Sequence, residues 1–202
     1  MPDIASDTIY PEPVRRWLTE AVELGASDLH LVVSYPPIFR VHGRLREAVS
    51  DPLEGQTLRS LLAPLCPEQA LERFEAKKNV DFSLDMPMGG RNQRFRVNYF
   101  LANQQVGACF RVIPATIPDF RWAEFPEDLA YRLAHFRNGL VLISGVAGSG
   151  KTTTLAMLIN LLNREGGYRI ITVEEPVEYL FPKQPGSVVT QREVGVDVHT
   201  FA

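Results

Sequence analysis

Cysteine is scarce: the 202 residues hold two, Cys66 and Cys109, in unrelated contexts. Neither belongs to a C-x-x-C pair or a Cys/His metal spacing, so the sequence offers no disulfide framework and no zinc site, and this usage suits a reducing compartment. Both are expected to be small core residues. Long apolar runs are also missing, none approaching the roughly 20 residues that span a bilayer. Met1-Pro-Asp-Ile-Ala-Ser-Asp7 lacks the basic region and apolar core of an export signal, so the protein is expected to be cytosolic. Nor is there an excess of charge of either sign. With 21 Lys and Arg against 24 Asp and Glu, a formal charge of −3 and a pI near 5.8, the chain has no global attraction for nucleic acid or anionic membrane, and no direct nucleic-acid role is expected. What is present, 45% apolar and 22% charged residues, is the balance of an ordinary globular protein long enough for one large or two small domains.

The most informative stretch is Gly145, Val146, Ala147, Gly148, Ser149, Gly150, Lys151 and Thr152. It follows the apolar run Leu140-Val-Leu-Ile-Ser144, expected to be a strand, and precedes the helix-prone Leu155 to Leu162. Four fixed positions between strand and helix make a phosphate-binding loop. Backbone N–H groups of a glycine-rich turn, added to the positive end of the following helix, cradle phosphate without needing a particular side chain. Glycine is required where a side chain would block that approach. Lys151 is then a point charge for the β- and γ-phosphates, and the Thr152 hydroxyl takes one Mg²⁺ position. The candidate nucleotide-binding set runs from Gly145 through Thr153. An ordinary βα turn with an accidental lysine is the alternative.

Upstream, Pro11 to Leu24 places Val14, Trp17, Leu18, Ala21 and Val22 at helical spacing before Gly25. Ser27 to Val33 and Ile38 to Glu47 alternate as strands, the second folding about His42-Gly43. Arg40, His42, Arg44 and Arg46 are expected to share one face, most simply a solvated one. Leu53 to Leu65 and Pro67 to Lys78 predict two short helices covering one side of the sheet. Val80 to Met86, Gln93 to Leu101 and Gln105 to Ile113 predict three further strands, with Pro87 to Asn92 as an irregular turn. The result is an α+β unit of about 110 residues with a mainly antiparallel sheet.

The short link at Asn103-Gln104 predicts a tight hairpin in which Arg96 faces Arg111. Phe95, Val97, Tyr99, Val106, Ala108, Phe110 and Val112 then line one face, and Arg94, Arg96, Asn98, Cys109 and Arg111 the other. Like charges directly opposed destabilise a hairpin unless an anion or a carboxylate lies between them. A phosphate would serve; so would splaying into solvent or pairing with Asp or Glu.

Three prolines between Pro114 and Pro126 mark a domain boundary. The expected organisation is therefore residues 1–113, a linker at 114–126, and a second domain from 127 to 202. Asp128 to Phe136 is a helix candidate, and from Leu140 the order strand, loop, helix, strand opens a parallel α/β sheet. Arg169 to Val173 delivers Glu174, Glu175 and Glu178 to its C-terminal end, the edge where parallel sheets place ligands. If both strands share a sheet, these acids fall near the triphosphate, where one would orient the attacking water and others hold Mg²⁺ through its waters. A solvated acidic turn is the alternative.

Taken together, Gly25-Ala-Ser-Asp-Leu-His-Leu31, Pro36-Pro-Ile-Phe-Arg-Val-His-Gly43, Arg94-Phe-Arg-Val-Asn98, Phe110-Arg-Val-Ile-Pro114, the phosphate loop, Thr172-Val-Glu-Glu-Pro-Val-Glu-Tyr179 and Gln191-Arg-Glu-Val-Gly195 resemble the secretion and type IV pilus ATPases, most closely the pilus retraction motors of twitching motility. The resemblance implies an α/β fold: a PAS-like α+β N-terminal domain, then a RecA-like P-loop NTPase core, truncated here. It also implies ATP and Mg²⁺ as cofactors and a homo-hexamer in the full-length protein. The implied partner is an inner-membrane platform protein, which would hold a cytoplasmic motor peripherally at that membrane. Arg96 and Arg111 match arginines that reach nucleotide phosphates, and Glu178 matches the catalytic glutamate, with Glu174 and Glu175 beside it.

Two departures stand out: Glu174-Glu-Pro176 where the family usually has Glu-Asp-Pro, and Asn103-Gln-Gln-Val106 in the arginine hairpin. Family members continue past Ala202 into a second acidic motif, a histidine motif and further helices. The 202-residue chain alone is therefore expected to hydrolyse ATP poorly and to form no stable hexamer. A pilus-extension or type II secretion ATPase, which usually carries a longer N-terminal region and often a four-cysteine metal site, is one alternative; a non-hydrolysing nucleotide-binding regulatory paralogue is another.

Overall fold

The computed structural model describes residues 10–146 and 148–201, and the chain divides into two compact units, Met1–Ile113 and Pro114–Ala202. Ala147, in the candidate loop, lies outside the described residues.

In the first unit, helix α1 (Glu12–Glu23) buries Val14, Trp17, Leu18 and Ala21, the i, i+3, i+4, i+7 stripe that the sequence spacing predicts. A six-stranded antiparallel sheet follows, made of β1 (Asp28–Leu31), β2 (Ile38–Val41), β3 (Arg44–Glu47), β4 (Asn79–Met88), β5 (Arg91–Ala102) and β6 (Gln105–Val112), in the order β3-β2-β1-β6-β5-β4. Helices α2 (Gly55–Leu62) and α3 (Glu68–Lys77) are separated by a 3₁₀ turn at Ala63–Leu65. They pack with α1 in one cluster with the apolar face of the sheet, where Phe39, Phe95 and Phe110 are fully buried. Tyr99 crosses that core and donates its hydroxyl to the Leu62 carbonyl at 2.9 Å, which satisfies the one polar atom the ring brings inside.

Two local expectations change. The β4–β5 hairpin is longer than the sequence suggests, because Pro87 and Met88 still pair with Asn92 and Arg91 and only Gly89-Gly90 turns. The four basic residues around His42-Gly43 do not share a face. A two-residue turn pairs Arg40 with Leu45, Val41 with Arg44 and Phe39 with Arg46, so parity reverses across it and Arg40 lies opposite to Arg44 and Arg46. The arginine hairpin has the expected register: Arg96 is directly across from Arg111 and Phe95 from Val112.

In the second unit, α4 (Glu127–Ala134) lies against α5 (Lys151–Glu165), and β7 (Arg169–Glu174) pairs in parallel with β8 (Val188–Glu193), Arg169 opposite Val188 through to Glu174 opposite Glu193. Ala156, Met157 and Leu158 form the buried side of α5, and Asn163, 1% exposed, donates to the Pro182 carbonyl at 2.8 Å. The expected strand at Leu140–Ser144 does not form. No strand among the described residues pairs with it, and Leu140 and Leu142 are 88% and 81% exposed. A strand exists only where a neighbour takes its N–H and C=O groups, so apolar character alone could not make one.

Candidate functional site

The loop at Gly145 enters α5 through two left-handed glycines, Gly148 at φ 78° and Gly150 at φ 86°. Those conformations aim successive N–H groups into one concavity at no steric cost to glycine. A Cβ on Gly145 would lie 2.7 Å from Ser149 Oγ, so the loop closes on itself there. The Val146 carbonyl accepts both the Ser149 N–H at 3.2 Å and Lys151 Nζ at 2.8 Å, which folds the lysine charge back over the turn.

Helix α5 begins without a side-chain cap and without an acidic residue in its first turn, whereas α1, α3 and α4 each carry Glu or Asp there. The positive end of α5 thus has a lysine and two threonines, and no acidic residue, in its own first turn. Thr152 is exposed, while Thr153 is half-buried with Oγ1 3.1 Å from the Tyr179 hydroxyl. Backbone N–H groups at a helix start, a lysine ammonium and a hydroxyl are donors that suit a magnesium-bound polyphosphate.

Tyr179 belongs to the acidic segment that leaves β7. The Glu175–Pro176 peptide there is cis. Glu174 is already engaged: its Oε1 accepts from Thr172 Oγ1 at 2.6 Å and from Gln191 Nε2 at 3.1 Å. Glu175 is exposed and Glu178 half-buried. The structure therefore brings the segment that carries Glu178 against the first turn of α5 through the adjacent Tyr179, and gives Glu174 a local structural role. Gln191 and Glu193, which hold this segment from β8, received no role from the sequence. Their signal in the sequence was membership of the family-like segment Gln191-Arg-Glu-Val-Gly195.

In the first unit, carboxylates on the neighbouring strands flank the facing arginines. Arg96 Nε is 3.2 Å from Asp81 Oδ1, and Arg111 Nε is 3.0 Å from Asp28 Oδ1. Asp28, 5% exposed, also accepts Ser27 Oγ at 2.9 Å and faces Arg40 Nε at 3.5 Å. Arg94 is held by Asp85 on the same face. Of the options left open for the arginine pair, pairing with acidic residues is the arrangement observed, although the Arg111 side chain stays 56% exposed. Nearby, burial lowers the His30 pKa, and burial pushes both free thiols, Cys66 and Cys109, up to about 11. Both cysteines are therefore neutral thiols at physiological pH.

A PAS-like α+β domain followed by a RecA-like core is the fold of the secretion and pilus ATPases that this chain resembles in structure. The chain belongs to the type II/IV secretion system protein family, which matches residues 4–200. It is 36% identical over 185 residues to the type IV pilus retraction ATPase PilT of Pseudomonas aeruginosa, covering 92% of this chain and 52% of that one. It is also 36% identical over 180 residues to the type IV pilus ATPase PilU of the same organism, covering 89% and 46% respectively. Among solved structures, the pilus retraction motor PilT with bound ADP superposes with a TM-score of 0.79 at 38% identity, over 92% of this chain and 53% of that one. The chain thus spans about half the length of the curated relatives it matches.

Proposed function

We propose that the protein binds and hydrolyses ATP as a motor of the type IV pilus retraction class. The observation that carries the reading is the uncapped start of α5, with Gly148 and Gly150 in the left-handed region, Lys151 beside it, and Tyr179 of the acidic segment bonded to Thr153 in its first turn. In this reading Gly145 to Thr153 donate to the phosphates, Lys151 releases the Val146 carbonyl to meet them, and Thr152 holds Mg²⁺. ATP supplies the transferable phosphoryl group and Mg²⁺ neutralises its charge. Glu178 orients or deprotonates the attacking water. Glu174, bonded to Thr172 and Gln191, shapes the segment, and Glu175 is left to hold metal-bound water. Arg96 and Arg111 add phosphate-binding cations, exchanging part of their contact with Asp81 and Asp28 for the anion.

The domain organisation follows the sequence: residues 1–113, a linker at 114–126, and the ATPase domain from 127. The proposed assembly is a cytoplasmic homo-hexamer that works through an inner-membrane platform protein to disassemble a pilus. The equal identity to PilT and PilU supports the pilus class, and restoration of twitching in a strain without its retraction ATPase tests the direction of the motor.

The site itself is tested by Lys151→Ala, which removes a charge-assisted phosphate contact of about 3 kcal/mol and should weaken a fluorescent ATP analogue about 100-fold. Unchanged affinity would sink the assignment. Glu178→Gln in the full-length protein should keep ATP and slow its hydrolysis.

A further inference from the structure

β8 projects two polar side chains at alternate positions, Gln191 and Glu193, toward the chain that leaves β7. Gln191 Nε2 donates to the Tyr179 carbonyl at 2.7 Å and to Glu174 Oε1 at 3.1 Å, while its Oε1 accepts the Phe181 N–H at 3.1 Å. Glu193 Oε2 accepts the buried Val177 N–H at 3.0 Å. The Asp197 carboxylate accepts the Glu193 N–H at 2.8 Å, which secures that end of β8.

Val177, Tyr179 and Phe181 are alternate residues, and each gives one backbone group to a side chain of β8. The ladder between β7 and β8 ends at Glu174 opposite Glu193. Beyond it, side chains take over the role of a neighbouring backbone. Glu178 lies between the first two of these three fixed residues, with Val177 anchored on one side and Tyr179 on the other. Tyr179 is tied in turn to Thr153 on the first turn of α5.

We propose that Gln191 is a positioning residue for Glu178: through its bonds at 174, 179 and 181, with Glu193 at 177, it sets the place of that carboxylate relative to the phosphate loop. The assignment rests on the reading of Glu178 as the water-orienting group. Three of the four hydrogen-bonding positions of one amide are spent on this segment, and no shorter or differently charged side chain offers two donors and an acceptor at that reach. Geometric errors of about 1 Å at a reacting group cost about 100-fold in rate while leaving ground-state binding largely intact.

The test is Gln191→Ala in the full-length protein, with Gln191→Met as the volume-matched variant should the alanine fail to fold. Turnover should fall about 10- to 100-fold while affinity for a fluorescent ATP analogue stays within about twofold. Amide hydrogen exchange at Phe181 should quicken. Gln191→Glu, which keeps only the acceptor, should preserve Phe181 protection yet lose turnover. Combined with Glu178→Gln, the Gln191 substitution should cost nothing more, because it acts through that carboxylate. Retained turnover in Gln191→Ala, affinity and turnover lost in equal measure, or a full additional loss in the double variant would each overturn the proposal. If Glu178→Gln alone leaves turnover intact, the catalytic reading fails instead, and the exchange at Phe181 still reports whether Gln191 holds the segment.

Discussion

The first unit joins most neighbouring strands through hairpins, whereas the second pairs its two strands in parallel across a connecting segment. From β1 to β6 the strands form one continuous antiparallel sheet in which β2–β3, β4–β5 and β5–β6 join through two-residue turns. Among the described residues of the second unit only β7 and β8 make a ladder, Leu140–Ser144 runs without one, and side chains of Gln191 and Glu193 hold the segment after β7. Antiparallel neighbours are joined by two residues, while parallel ones need a crossover of a dozen or more. In the first unit the β1–β6 pairing closes the sheet over a long stretch of chain; in the second the segment at the strand ends is placed by side chains of the paired strand.

The strongest way to break this contrast is at the core of the first unit. Phe110→Ala removes a fully buried ring from the centre of the sheet and should destabilise by about 3–5 kcal/mol. Denaturant unfolding should show that transition moving while nucleotide binding to the phosphate loop persists at low denaturant; simultaneous loss of both would mean that the units do not behave independently. A smaller effect is expected at Asp28, whose carboxylate lies between Arg111 and Arg40. Asp28→Ala leaves two cations unneutralised next to Arg96, and because both arginines reach solvent the cost should be about 2 kcal/mol rather than that of a fully buried pair. Added sulfate should recover part of it, and a salt-independent loss would contradict the electrostatic account.

In the second unit, Leu142→Ser should change stability by less than about 0.5 kcal/mol, since the side chain is 81% exposed. A loss of several times that size, measured by thermal unfolding, would show that residues 140–144 are packed in solution. The smallest effect concerns His135, whose ring meets the Tyr131 carbonyl at 2.7 Å and the Glu165 carboxylate at 2.7 Å. The carbonyl first, and then Glu165, raise its pKa above the ordinary 6.5. Its contribution to holding α4 on α5 is therefore complete below pH 6.5 and is lost as the pH rises through the raised value. An NMR titration of His135 should show that upward displacement, and Glu165→Gln should reduce it.

How much of this was legible in the sequence depends on the range of the interactions. The register that sets Arg96 against Arg111 follows from the turn at Asn103-Gln104, whose positive φ values of 49° and 62° make the two-residue link. The same reasoning, applied to His42-Gly43 without its change of parity, misplaced Arg44 and Arg46. The glycine-rich entry to α5 was legible because its left-handed glycines and its lysine are close neighbours in the sequence. Leu140–Ser144 was not, because an apolar run carries no information about whether a neighbour is present to pair with it.

By itself the sequence determined the glycine loop and its lysine, the helical stripe of α1, the facing arginines and the acidic cluster at the end of β7, all consequences of spacing within a dozen or so residues. Only the tertiary structure decided that Asp81 and Asp28 flank those arginines from the neighbouring strands, that Glu174 is occupied by Thr172 and Gln191, and that Tyr179 meets Thr153. Spacing fixes which face a side chain occupies; which partner it finds there depends on chain segments as much as 83 residues away, as between Asp28 and Arg111.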